Sequence, residues 1–106
     1  MSQHTFTSPA ESNNTGKPLQ ILCGWDRPLQ YQHLTIETKC ANPVDELIVY
    51  CNLQEPGGGL ELEQVAERLE SFGITPPEGL LAELDQDERQ DMGNKYKDWD
   101  ERAAAA

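Results

Sequence analysis

The side chains able to attack, ligate or carry protons are few in this chain and poorly grouped. Its histidines are His4 and His33, and its cysteines are Cys23, Cys40 and Cys51. An odd cysteine count with no C-x-x-C spacing gives neither a disulfide framework nor a zinc knuckle. Cys23 and Cys51 fall inside apolar runs, where a free thiol acts as a small hydrophobe. Cys40 sits in a polar connection and is the expected exposed thiol, with only Lys39 beside it to lower its pKa. No residue is spaced to join His33 in a metal site, so an exposed strand histidine is expected there, and His4 is expected to be solvated. Nucleophilic catalysis needs a nucleophile, a base and an orienting group in reach. Cys23, Cys51 and His33 could be neighbours across a sheet, but burial makes such thiols inert. Gly57-Gly58-Gly59 precedes a helical pattern as a phosphate cradle would. The lysine and Ser/Thr of a P-loop are missing, and Glu61 and Glu63 would repel phosphate. No catalytic residue, cofactor or metal is expected.

The strongest local signal is Gly24-Trp25-Asp26-Arg27-Pro28-Leu29-Gln30, between apolar runs at 19–23 and 34–36. It reads as a β-hairpin tip, with Pro28 presetting φ for a turn and pushing Arg27 toward extended geometry. Trp25, Arg27 and Tyr31 are types enriched in binding hot spots. With Asp26 they form a candidate partner-binding set, and Tyr96 and Trp99 form a second aromatic pair. The structural alternative buries Trp25 under the first helix, because it shares a face with Leu19 and Ile21. Arg27 would then pair with Asp26 or with a carboxylate of the second helix.

Three strands and two helices must position these residues. Residues 19–25 alternate as a strand, 31–38 form a second, and 47–53 a third. The second points Gln32, Leu34 and Ile36 one way, and Tyr31, His33, Thr35 and Glu37 toward solvent. The third is apolar on both faces and is expected mid-sheet. Asn42-Pro43 marks a turn before it. Leu62, Val65, Ala66, Leu69 and Phe72 make a helical stripe over 60–72, closed by Gly73 at the left-handed stop with Ile74 touching Leu69. Thr75-Pro76-Pro77-Glu78 has the spacing of a capping box and opens a second helix with Leu80, Leu81 and Leu84 on its apolar side. The expected fold is α+β (βββαα): a three-stranded antiparallel sheet, in order 1-2-3 or with the third strand beside the first, and two helices on one face. Residues 1–17 are expected to be a disordered tail, 18–94 the domain, and 95–106 a short strand or acidic-aromatic tail.

The net charge of −11 is lopsided: residues 1–43 are neutral, and all of it lies from Val44 onward. Such a field repels nucleic-acid phosphate and anionic lipid and favours a protein partner with a basic surface. Its structural alternative is solubility alone. No apolar run nears the ~20 residues of a membrane span, and residues 1–16 do not look like a signal peptide. A cytoplasmic protein is expected. Three functions suit these features. The first is a non-catalytic adaptor or regulator acting through the hairpin tip or the acidic helices. The second is an acidic inhibitor mimicking nucleic acid on a basic protein. The third is a small-molecule or enzymatic site beside His33 and Arg27.

The Gly24-to-Gln30 string, an apolar strand, Tyr50-Cys51-Asn52-Leu53, a helix closed by Gly73-Ile74, a proline, a second helix and Gly93-Asn94 come in an order that resembles a small family of uncharacterised proteobacterial proteins. The similarity covers about residues 19–95, and Gly-Trp-Asp-Arg-Pro-Leu is its most specific element. The family's second strand is more aromatic at its start than Tyr31-Gln32-His33. The resemblance implies the order of elements and a bacterial source; it carries no activity.

Overall fold

The computed structural model describes residues 1–38 and 48–100. The elements are β1 (Ser2–Ser8), β2 (Leu19–Asp26), β3 (Tyr31–Thr38), β4 (Ile48–Cys51), α1 (Leu62–Ser71), α2 (Leu80–Arg89) and β5 (Lys95–Asp98). The class is α+β, as the pattern implies. The sheet, however, has five strands in the order β4-β3-β2-β1-β5, not three. Pairing is antiparallel except for β5, which runs parallel to β1, so the sheet is mixed. Cross-strand register places Phe6, Ile21, Ile36 and Tyr50 in one row, and His4, Cys23 and Leu34 in the next. This face carries the core, closed by Val65 and Leu69 of α1, Leu80 and Leu84 of α2, and Leu60, Ile74 and Trp99.

The reading of 1–17 as a tail is corrected by β1. Its inward residues are Ser2, His4, Phe6 and Ser8, all buried. Only one of the four is apolar, so hydropathy is silent; the polar three are buried because hydrogen bonds satisfy them. Asn14, just beyond, caps α1: its backbone N–H donates to the Phe72 carbonyl (2.9 Å) and its side-chain amide to the Ser71 carbonyl (3.3 Å). Those are orphan acceptors at the helix end.

Two boundaries also move. The expected mid-sheet strand is β4, short and at the sheet edge, with Ile48 exposed. Its start, Cys40 and the Asn42-Pro43 turn lie outside the described residues. No capping box forms at Thr75 and Glu78: Pro77 bars Pro76, and Pro76 bars Thr75, from helical geometry. The helix instead begins at Leu80, after Gly79 at φ 91°. The capping box in this structure is on α1, between Glu61 and Gln64. The α1 stop matches its sequence signal. Gly73 has φ 72°, and the Ile74 N–H donates to the Leu69 carbonyl at 2.9 Å.

Candidate functional site

The hairpin tip is built by its own backbone and held by one carboxylate. The Asp26 carbonyl accepts the Gln30 N–H (2.7 Å), Asp26 Oδ1 accepts the Leu29 N–H (3.2 Å), and Gln30 takes a left-handed φ of 56°. Gly24 is required because a Cβ there would run into the Ser2 carbonyl and the His33 ring. Just past α2, Asp91 collects three groups from the tip. Trp25 Nε1 and Gln30 Nε2 donate to Oδ1 at 3.0 and 2.7 Å, and Arg27 Nε lies 3.3 Å from Oδ2. The Trp25 and Gln30 hydrogen bonds, with Arg27 adding to them, hold the Asp91 carboxyl below its ordinary pKa.

The six candidate side chains divide by burial. Trp25, Asp26 and Trp99 are largely interior, with 6–7 % of their surface exposed. Tyr31 is half-buried, its ring against Gly59, where a Cβ would overlap it. Arg27 is exposed and pairs with Asp91 rather than Asp26. Tyr96 is 66 % exposed. His33, expected to face solvent, is buried, with Nε2 2.8 Å from the Ser2 carbonyl. Burial lowers its pKa, and the Ser2 hydrogen bond opposes that shift.

Two grooves flank the tip. One, of about 720 Å³, is walled by Met1, Pro28, Leu29 and Tyr96, with Gln3, Asp26, Asn94 and Lys95 as its polar members. Met1, Leu29 and Tyr96 are three of the five exposed large hydrophobics among the described residues. Sequence reasoning missed Met1 and Leu29. The Pro28-Leu29 pair inside the motif was the available signal, since an apolar residue at an exposed turn has no packing role. The second groove, of about 640 Å³, lies between the tip and both helices. Its walls include Glu61 and Glu63 at the start of α1, Asp85 and Glu88 of α2, and the rings of Trp25 and Tyr31, with no lysine or arginine.

A polar cluster lies beneath β1. His4 and Asp87 are fully buried, with Nε2 2.7 Å from Oδ2. Lys95 Nζ reaches Asp87 Oδ1 (2.9 Å), and Lys97 Nζ reaches Glu83 Oε1 (2.8 Å). Burial alone would raise the Asp87 carboxyl; hydrogen bonds from His4, Lys95 and Ser2 outweigh it and hold the pKa below its usual value. Glu83 is lowered in the same way: desolvation opposes, and Lys97, Lys95 and His4 prevail. Lys95 is raised, because Asp87 and Glu83 overcome its desolvation. Burial pushes the Cys23 thiol up to about 12, which keeps it protonated and unreactive. Among the described residues no three His, Cys, Asp or Glu side chains are grouped to hold a metal, and no helix is long and apolar enough to cross a membrane. No protein-family model, curated protein or solved structure matches the chain.

Proposed function

We propose that this is a non-catalytic interaction protein, an adaptor or regulator, that binds another protein through the groove at the hairpin tip. The supporting observation is the convergence of Met1, Leu29 and Tyr96, exposed side chains from three separate stretches of the chain, on one concave surface with Pro28. Exposed apolar surface gathered in one place is the usual mark of a contact site. With a net charge of −11, the chain steers toward a partner that offers an apolar side chain within a basic surface. In this reading it works in the bacterial cytoplasm.

The test is capture of the partner from cells that carry the protein, then titration of the purified pair. Leu29→Glu and Tyr96→Ala alter exposed side chains and leave the fold intact; each should weaken binding by about tenfold or more. A partner that binds both variants as tightly as the parent removes this reading.

A second reading, the acidic inhibitor of a nucleic-acid-handling protein, draws on the groove between the tip and both helices, which is walled by four carboxylates of which only Asp85 is ion-paired among the described residues, with Arg89. Glu83 and Asp87 do not belong to that surface, since they turn inward to the lysines of β5. This reading predicts loss of binding on charge reversal at Glu61 and Glu63, steep weakening with salt, and indifference to Leu29→Glu.

A further inference from the structure

The cluster beneath β1 leaves one buried acceptor idle. The Trp99 indole N–H donates to His4 Nδ1 at 3.0 Å. A ring nitrogen that accepts carries no proton, so the imidazole holds its single proton on Nε2 and donates it to Asp87. Glu83 Oε2 stands 3.4 Å from that same Nδ1, buried and without a hydrogen-bond donor, its cationic neighbour being Lys95 Nζ in a loose ion pair at 3.5 Å. The groups around the ring are Glu83 and Asp87 from α2, Lys95 and Lys97 from β5, Cys23 from β2, whose thiol lies 3.9 Å from the His4 carbonyl, and His33 from β3. Two carboxylates balance two ammonium groups, so the neutral ring leaves the cluster without net charge.

We infer that His4 is a proton-operated latch: a second proton, taken from solvent at Nδ1, is donated to Glu83 Oε2, and the Trp99 indole is released. The exchange is forced by valence, since an N–H cannot accept from another N–H. Trp99 directly follows β5, so the contact given up is one of those that pin the end of that strand to β1, beside the Thr7–Asp100 hydrogen bonds. Glu83 and Asp87, held below the usual carboxylate range, and Lys95, held above its usual value, keep their charges across the interval in which a histidine changes its own. This leaves the histidines as the groups that switch. The inference stands apart from the binding role proposed above.

The experiment follows the tryptophan and the ring together. In a Trp25→Phe variant Trp99 is the only tryptophan. Its emission should shift to the red, reversibly and in one step, as the pH is lowered with the protein still folded. Glu83→Gln, which keeps the shape and removes the anionic acceptor, should move the midpoint down by about one pH unit. His33→Gln should leave it in place. Nitrogen-15 spectra of the unsubstituted protein give the same answer without a substitution. His4 Nδ1 should change from an unprotonated to a protonated signal in step with the Trp99 indole N–H. A ring already protonated at Nδ1 at pH 8 overturns the inference. So do Trp99 signals that stay flat until acid unfolds the protein, or a midpoint that moves with His33→Gln and not with Glu83→Gln.

Discussion

Phe6→Ala asks whether the first strand belongs to the core. Phe6 is 2 % exposed and stands in the same cross-strand row as Ile21 and Ile36, both fully buried. Truncating a buried phenylalanine costs about 3–5 kcal/mol in lost transfer energy and cavity. A domain of this size has about 5–15 kcal/mol of stability in all, so the change removes about a fifth of it or more. With a urea dependence of about 2 kcal/mol per molar, the unfolding midpoint should fall by about 2 M at unchanged slope. Thr5, the preceding residue, points to the open face and is half-buried. Thr5→Ala should cost less than about 1 kcal/mol, which shows that the Phe6 effect comes from the inward side of a strand. Urea unfolding followed by far-ultraviolet circular dichroism reads both variants. A Phe6→Ala midpoint within about 0.3 M of the parent would mean that residues 1–17 are a tail after all, and the five-stranded sheet would be wrong.

Asp87→Asn removes the fully buried charge shared by His4 and Lys95; breaking a buried pair from one side costs about 3–5 kcal/mol, measurable by the same urea titration, and a loss below about 1 kcal/mol would show the pair to be idle. Gly24→Ala forces a methyl group against the Ser2 carbonyl and the His33 ring, so its thermal midpoint should fall by several degrees, whereas Gly57→Ala meets no neighbour and strains only its φ of 84°. Stability should decline with acid in two stages. The His33 pKa is lower folded than unfolded, so its contribution is complete above the unfolded value of about 6.5 and is lost as pH falls below it. Asp87 and Glu83 are also lower folded, and their contribution is present above about pH 4 and disappears as pH falls through their folded values. A urea midpoint that stays constant from about pH 7 to pH 3 would contradict both stages.

The residues that announced themselves were those whose role is local. Gly73 and Ile74 stop α1 as the pattern implies, because a left-handed C′ glycine and its contact are fixed within six residues. The hairpin at Pro28 and the inward set Gln32, Leu34 and Ile36 were legible for the same reason. What stayed hidden depends on partners far along the chain. Nothing near His4 reveals Asp87, 83 residues away. Nothing near Trp25 reveals Asp91, 66 residues away. Period-two reasoning also placed His33 correctly on the outer side but could not see that Ser2 crosses over Gly24 to cover it. At the candidate site, the motif was legible, and Trp25 is buried as its shared face with Leu19 and Ile21 implies. An aromatic residue at a tip suggests a contact, whereas Trp25 is spent on Asp91 and the free apolar surface belongs to Leu29.

β1 and β5 explain one another. Neither has an apolar face: β1 presents two serines and a histidine beside Phe6, and β5 turns Lys95 and Lys97 toward α2. Without β5 the buried Asp87 would lose its lysine, and without β1 it would lose the His4 hydrogen bond, a cost that disfavours either strand alone. Together with Glu83 and Asp87, spaced one helical turn apart, they form a balanced set in which every charge has an opposite within 3 Å. The parallel register follows from this pairing. Ser2 opposite Lys95 and His4 opposite Lys97 bring both ammonium groups to the carboxylates of α2 while keeping His4 between them. A slip by one residue would turn Tyr96 inward and both lysines outward. β1 and β5 are therefore tied to α2 by electrostatic complementarity, with Phe6 and Trp99 joining them to the apolar core. A perturbation that discharges Asp87 or Glu83 should loosen β1 and β5 together before it disturbs β2, β3 and the helices.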